Sequence, residues 1–136
     1  MSDPRNFTIV QLYETGAPMK LLIADDSELL RISLKKLLHS VQEIEQVFEA
    51  ADPHQAIDVI TRYYPDIMIL DLSFHKGTGF DVMDYLLEHD LEMVVIVLTN
   101  FATEHNEQKS YDKGADYFFD KSHEYEQLEQ VIKAYA

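Results

Sequence analysis

Apolar and polar residues follow one another along this chain in two different rhythms. Short runs rich in apolar residues predict strands at residues 21–24, 45–50, 67–70, 93–98 and 116–119. Between and after these runs, apolar residues recur every three or four positions, as they do on one face of a helix. The second rhythm predicts helices at residues 30–41, 53–63, 80–89, 103–113 and 123–135.

The strict alternation of strand and helix indicates an α/β fold with a doubly wound, five-stranded parallel sheet in the order 2-1-3-4-5. The run Ile-Met-Ile-Leu at 67–70 is uninterrupted by polar residues. Such a run is typical of a strand covered by helices on both faces. We therefore expect this strand to lie inside the sheet.

Two of the predicted helices differ in their apolar content. The helix at 80–89 carries the large apolar residues Val82, Met83, Leu86 and Leu87. The helix at 103–113 has Tyr111 as its only large apolar residue. We expect that helix to be weakly anchored and mobile, because few apolar contacts hold it.

Residues 1–18 stand apart from this alternation, and we predict an N-terminal extension (1–18) followed by one domain (19–136). Residues 7–13 have strand-like composition and precede the breaker Gly-Ala-Pro. An added edge strand, a dimer contact and a loose tail all stay open for this segment.

Length, charge and cysteine content exclude several function classes. A chain of 136 residues suits one compact domain. The net charge of −14 argues against binding to nucleic acid or to an anionic membrane surface. The absence of cysteine excludes disulfides, thiolate nucleophiles and cysteine metal sites. With no signal-peptide pattern and no membrane-spanning stretch, we expect a cytoplasmic protein.

Polar residues of distinct chemistry follow four of the predicted strands. Asp25 and Asp26 follow the first, Asp71 the third, Thr99 the fourth and Lys121 the fifth. Carboxyl ends of parallel strands share one edge of the sheet, where sites are commonly built. Three carboxylates there would need a cation, and an all-oxygen site suits Mg²⁺. Lys121 and Thr99 could hold a phosphoryl oxygen, and Asp71 is a competent nucleophile for a phosphoryl group.

Each of these residues also has a simpler interpretation. Asp26 or Ser27 could cap the helix that follows. Thr99 ends a strand rich in β-branched residues, where threonine is common. Lys121 could be a solvated loop residue, and Asp71 could cap a turn. Only their occurrence together at matching strand ends favours a functional site.

With these residues, the chain from about residue 20 onward resembles the receiver domain of two-component response regulators. The matching segments are Leu-Leu-Ile-Ala-Asp-Asp-Ser (21–27), Pro-Asp-Ile-Met-Ile-Leu-Asp-Leu (65–72), Gly79, Val-Ile-Val-Leu-Thr (95–99) and Gly-Ala-Asp-Tyr-Phe-Phe-Asp-Lys-Ser (114–122). The resemblance implies the flavodoxin-like receiver fold, without enzymatic turnover of its own.

The resemblance also implies roles for individual residues. Asp71 would accept a phosphoryl group from a histidine kinase or a histidine phosphotransfer protein, with Thr99 and Lys121 contacting that group. Mg²⁺ would be bound by Asp25, Asp26, Asp71 and the backbone carbonyl of Ser73. Thr99 and Phe118 would form the switch.

Several positions depart from the family pattern. Ser122 replaces a proline that usually follows a cis bond. A cis bond without proline costs about 2.5–4 kcal/mol, so its surroundings would have to enforce it, and the isomer of this bond stays open. Phe118 lacks the hydroxyl of the commoner tyrosine, and His75 replaces a loop proline. Asn100 is larger than the residue usual after this threonine and would narrow access for phosphodonors. Phe101 is apolar at the position where attacking water would approach. From these two we predict a long-lived phosphoryl group.

Output is expected through protein contacts, since no output domain follows the last helix; the unit either stands alone or is part of a longer chain. We expect phosphorylation to change the surface of the fourth helix, fifth strand and fifth helix. Leu29 and Ile32, opposite the core stripe of the first helix, are candidates for contact with the kinase. The downstream target is unknown, and homodimerisation stays open.

Three other functions compete with the receiver. An adaptor that never becomes phosphorylated would use the same fold. A phosphohydrolase with Asp71 as nucleophile would place a second Asp two residues later as general acid, where this chain has Ser73. A flavin carrier would need a phosphate-binding loop after the first strand, where Asp25 and Asp26 would repel the phosphate.

Overall fold

The computed structural model describes residues 18–135, so the prediction of a separate N-terminal extension falls outside the described residues. Five strands form one sheet, and each neighbouring pair is parallel. The strands are β1 (Met19–Ala24), β2 (Ile44–Ala50), β3 (Ile67–Leu70), β4 (Val94–Thr99) and β5 (Tyr117–Asp120). Their order is β2-β1-β3-β4-β5, which confirms the predicted fold class.

Helices connect the strands in strict alternation. They are α1 (Glu28–Leu38), α2 (Pro53–Tyr63), α3 (Gly79–Glu88), α4 (Glu104–Asp112) and α5 (Gln127–Tyr135). Asp52 caps α2 by accepting a hydrogen bond from the backbone N–H of Gln55, and Pro53 occupies the first turn, where its missing N–H costs nothing.

The sheet separates two apolar cores. Successive residues of β3 point to opposite faces, so Ile67 and Ile69 pack with α1 and α5. Met68 and Leu70 pack on the other face with α2 and α3. All four side chains are at most 2% exposed, which confirms β3 as a strand buried on both faces.

Strand register brings the carboxyl ends of the strands to one level. Ala24 pairs with Leu70, so the residues that follow them, Asp25 and Asp71, leave neighbouring strands side by side. The backbone N–H of Asp71 donates to the Ala24 carbonyl at 3.0 Å. Both aspartates therefore begin their loops from a fixed backbone.

Several details of the predicted elements are wrong. The first helix ends at Leu38 and not at residue 41. The last helix begins at Gln127 instead of residue 123, because the chain first closes a turn on Asp120. The carboxylate of Asp120 accepts the N–H of Ser122 at 2.8 Å, and its carbonyl accepts the N–H of Glu124 at 2.8 Å. Of the four large apolar residues named for α3, Val82, Met83 and Leu86 are buried, and Leu87 is 57% exposed at the end of the helix.

Helix α4 is poor in apolar contacts, as predicted, and Ser110 is its buried residue. Polar contacts to α3 compensate in part. The Lys109 ammonium lies 4.3 Å from the centre of the Phe80 ring, and Lys113 forms a salt bridge with Asp84. Lys109 and the C-cap residue Lys113 thus connect α4 to α3.

Within residues 18–135, no helix has the length and apolar character needed to cross a membrane.

Candidate functional site

Three carboxylates meet at the carboxyl edge of the sheet. Asp25 and Asp26 follow β1 and Asp71 follows β3, and each offers an oxygen within 4.8 Å of the other two. Asp25 and Asp71 are 3% and 6% exposed, whereas Asp26 is exposed to solvent. The sequence prediction that these acids share one crevice is therefore met by the geometry.

Lys121, directly after β5, bridges the two buried acids. Its Nζ donates to Asp25 Oδ2 at 2.7 Å and to Asp71 Oδ2 at 3.0 Å. Its backbone N–H donates to the Thr99 carbonyl at 3.0 Å, which fixes the start of the side chain. Lys121 is thus part of the cluster and not a solvated loop residue.

The cluster keeps a negative balance, because three carboxylates face one ammonium group. Burial raises the pKa of Asp25, and the hydrogen bond from Lys121 offsets only part of that effect. Burial alone would lower the pKa of Lys121, but its hydrogen bonds to Asp25 and Asp71 outweigh burial and raise it. Lys121 is therefore held firmly in its charged form, and the remaining negative charge favours a further cation.

The loop from β1 to α1 fixes Asp25 on several sides. Asp25 Oδ1 accepts the backbone N–H of Ser27 at 2.8 Å, and Ser27 Oγ in turn accepts the N–H of Leu30 at 3.2 Å. Ser27 is therefore the N-cap of α1, as the simpler interpretation of this residue predicted. Asp26 is not the cap, and its carboxylate is available to a cation. The Asp25 carbonyl accepts a hydrogen bond from Arg31 Nη1 at 2.7 Å.

Sequence reasoning missed Arg31. Its place six residues after Asp25, about one helical turn into α1, was the available signal. Only the structure shows that its guanidinium turns back toward the loop.

The loop after β3 is held close to Asp71. Asp71 Oδ1 accepts the backbone N–H of Ser73 at 3.3 Å, and Ser73 and Thr78 form an isolated bridge across the loop. A Cβ atom on Gly79 would lie 2.3 Å from the Asp71 carbonyl oxygen, so no larger residue fits there without moving the backbone. His75, in the same loop, is exposed.

Thr99 and Phe118, the predicted switch residues, are both buried. Thr99 is 0% exposed, and its Oγ1 accepts the backbone N–H of Phe101 at 3.1 Å. Phe118 pairs with Val97 in the sheet, and its ring belongs to the core shared with α2 and α3. Phe101 itself is 56% exposed just beyond β4.

Leu29 and Ile32 lie outside the acid cluster on α1. They are 78% and 39% exposed, which agrees with the predicted position opposite the core stripe. Ile32 lines a shallow depression together with Lys35, Lys36 and His39. Exposure alone leaves their role as kinase contacts a prediction.

The donor set fits Mg²⁺. All three side chains offer carboxylate oxygens, which this hard cation prefers, and the exposed position of Asp26 leaves room for the water ligands that it retains. Ser73 lies two residues after Asp71 in the same loop. The role of its backbone carbonyl as a Mg²⁺ ligand stays a prediction. Among residues 18–135 no peptide bond is cis, so the bond between Lys121 and Ser122 is trans.

Comparisons with known proteins agree with this geometry. Residues 21–133 match the family model for the response regulator receiver domain. Sporulation initiation phosphotransferase F of Bacillus subtilis (strain 168) is 29% identical over 85% of this chain and 92% of that protein. The nitrate/nitrite response regulator protein NarP of Escherichia coli (strain K12) is 31% identical over 88% of this chain, which spans 55% of that relative's length.

Solved structures give the same picture of the fold. A DNA-binding response regulator of the LuxR family from Staphylococcus aureus superposes with a TM-score of 0.77 at 25% identity, covering 86% of this chain and 98% of that chain. The Vibrio cholerae chemotaxis protein CheY4 has a TM-score of 0.77 at 22% identity, covering 88% of this chain and all of that chain (100%).

Proposed function

Because this chain belongs to the response regulator receiver family of two-component signalling, we propose that it is a phosphoacceptor whose nucleophile is Asp71. The phosphoryl donor would be a phosphohistidine on a histidine kinase or a histidine phosphotransfer protein. Residues 19–136 would form the receiver domain, residues 1–18 an extension to it, and transfer would take place in the cytoplasm. The protein would signal by a changed binding surface and would not turn over a small substrate.

The chemical step is one phosphoryl transfer. An Asp71 carboxylate oxygen attacks phosphorus, the P–N bond to the donor imidazole breaks, and the imidazole nitrogen leaves with the electron pair. An acyl phosphate forms on Asp71, and no external base is needed because an attacking carboxylate has no proton to lose.

The acid cluster would hold Mg²⁺ through Asp25, Asp26, Asp71 and the Ser73 carbonyl, and the ion would neutralise charge on the phosphoryl oxygens. Lys121 already lies 3.0 Å from Asp71 Oδ2, so its ammonium can follow a phosphoryl oxygen placed on that carboxylate. Asp25 holds the same ammonium through its own hydrogen bond at 2.7 Å.

Thr99 would connect the modified site to the surface. Its hydroxyl oxygen accepts the N–H of Phe101, so its proton stays free to be donated to a phosphoryl oxygen. A shift of Thr99 toward that oxygen would pull the segment that leads into α4. Because Phe118 lacks a hydroxyl, its part in the switch would consist of repacking in the core beside Thr99.

The observation that carries this proposal is the position of Lys121 between Asp25 and Asp71 within the acid cluster. A small phosphodonor tests it without a partner protein. Wild type, Asp71→Asn and the exposed control Asp58→Asn are incubated with Mg²⁺ and acetyl phosphate, and the intact masses are measured.

We expect a gain of one phosphoryl group in wild type and Asp58→Asn, and none in Asp71→Asn or after addition of EDTA. A gain that survives Asp71→Asn would place the acceptor elsewhere. No gain in wild type would instead favour an adaptor that works without phosphorylation. Continuous release of phosphate from a phosphate monoester would favour a phosphohydrolase.

A further inference from the structure

Arg31 connects three elements around the acid cluster. The residue lies on α1, and its side chain is only 14% exposed. Its Nη1 donates to the backbone carbonyl of Asp25 at 2.7 Å, and its Nε donates to Glu49 Oε1 at 3.0 Å. Glu49 belongs to β2 and pairs in the sheet with Ile23 of β1. One guanidinium thus ties the β1–α1 loop to both its helix and the neighbouring strand.

The hydrogen bond to Asp25 acts on the backbone between the two metal-binding candidates. The Asp25 carbonyl is the first one beyond the end of β1, where the strand ladder stops. Because a peptide unit is planar, the direction of the Asp25 carbonyl also sets the direction in which Asp26 leaves the strand. A donor that fixes this carbonyl therefore fixes the relative placement of the two carboxylates.

We propose that Arg31 is a positioning residue of the cation site, which holds the Asp25–Asp26 peptide so that both carboxylates face one Mg²⁺ ion. The inference rests on the proposed function, because it assigns a role around the same site. Arg31 would not be a ligand of the ion, because its guanidinium is bonded to the Asp25 carbonyl and to Glu49. It acts through the backbone carbonyl, and Glu49 keeps its guanidinium in place.

The charge of Arg31 and its positioning role predict opposite effects on Mg²⁺ affinity when the residue is replaced. A positive group beside three carboxylates repels a divalent cation, so removal of the charge alone would tighten Mg²⁺ binding. Loss of positioning would weaken it, because the two carboxylates would no longer be held toward one point. Arg31→Lys keeps the charge but loses the planar fork that reaches Glu49 and the carbonyl together.

Lys35 provides a matched control on the same helix. Its Nζ donates to the other oxygen of Glu49, Oε2, at 3.1 Å. Its hydrogen bond is to Glu49, whereas Arg31 also reaches the carbonyl of Asp25. A variant at Lys35 therefore removes one positive charge near Glu49 and leaves the Asp25 carbonyl bonded.

The test is a Mg²⁺ titration followed by NMR amide shifts of the loop after β1, with thermal unfolding recorded for each variant. We expect Arg31→Lys and Arg31→Gln to weaken Mg²⁺ binding by about 10-fold or more, the range typical of groups that orient metal ligands. Lys35→Gln should stay within about twofold of wild type, since outer charges are screened. A saturating Mg²⁺ concentration should restore acetyl phosphate labelling in both Arg31 variants.

Unchanged affinity in Arg31→Lys, or tighter binding in both Arg31 variants, would overturn the positioning role. If those variants do not fold, Glu49→Gln replaces them; it should weaken Mg²⁺ binding in the same direction, and an unchanged affinity there would also overturn the role. The titration uses no phosphodonor. A wild type that binds Mg²⁺ without becoming phosphorylated would therefore refute the proposed function alone.

Discussion

Replacement of Lys121 by methionine should destabilise the domain strongly in the absence of Mg²⁺. The Lys121 side chain is 13% exposed, and its partners Asp25 and Asp71 are 4% and 7% exposed in their side chains. Removal of one partner from a buried ion pair costs about 3–5 kcal/mol, because the charge left behind is unpaired. Exposed Asp26 admits water to this crevice, so we expect the lower end, about 3 kcal/mol.

Lower pH and added Mg²⁺ should both reduce this deficit in the free energy of unfolding. Without the Lys121 hydrogen bond, the pKa of Asp25 rises further above its ordinary value of 3.8. A carboxyl group whose pKa is higher in the folded state gains stability as the pH falls through that pKa, so the deficit shrinks on acidification from neutral pH toward 3.8. Mg²⁺ at ten times its dissociation constant adds about 1.4 kcal/mol to any form that binds it, and the variant should bind it more tightly.

Urea unfolding followed by far-ultraviolet circular dichroism measures these effects, since the chain has no tryptophan. In EDTA, a loss of about 3 kcal/mol corresponds to a melting temperature lower by roughly 10–15 °C. Lys113→Met is the matched control. Its ion pair with Asp84 is partly exposed, so its loss should cost less than about 1 kcal/mol.

A deficit of less than about 1 kcal/mol for Lys121→Met in EDTA would refute the reasoning. A large deficit that responds to neither pH nor Mg²⁺ would refute it as well, because it would indicate lost packing of the aliphatic stem instead of unpaired carboxylates.

Three further predictions concern the surface around the site. Phe101→Glu should shorten the half-life of the acyl phosphate about tenfold or more, because a carboxylate can orient the attacking water; an unchanged half-life after removal of acetyl phosphate would contradict this. Leu29→Asp should slow transfer from a partner phosphohistidine without affecting labelling by acetyl phosphate, whereas Leu87→Asp, at a comparably exposed leucine, should change neither. Asp84→Asn should speed hydrogen exchange of α4 amides up to about fivefold, because the salt bridge of Lys113 is lost; uniform exchange across the domain would argue against a local attachment.

The pattern of apolar residues predicted the fold because the buried strands β1, β3 and β4 consist mostly of apolar residues. The predicted bounds of β3 and α2 agree with the structure, since a continuous apolar run defines the strand and a cap with proline defines the start of the helix. The start of α5 was wrong because the turn on Asp120 is made by side-chain and backbone hydrogen bonds that leave no periodic signal.

The sequence was sufficient to predict which residues of the candidate site lie close together. Parallel strands in a known order place Asp25, Asp71 and Lys121 at one edge. The hydrogen bond from Arg31 to a carbonyl was not predictable, because it depends on the direction of one backbone group after β1. The contact between Lys109 of α4 and the Phe80 ring of α3 was not predictable either. It depends on how the two helices lie against each other.

The contact between Gly79 and the Asp71 carbonyl limits how the loop after β3 can be diversified. Gly77 has a φ of +90°, and Thr78 is the N-cap of α3 and donates its N–H to Asp81 Oδ2 at 3.0 Å, so both positions are constrained. The exposed His75 and Lys76 can be exchanged in a library that alters donor preference. Position 79 cannot, because any side chain there collides with backbone, and the backbone that must yield belongs to the proposed phosphoacceptor. We therefore expect natural variation and laboratory selection to change residues at the tip of this loop and to keep glycine at position 79.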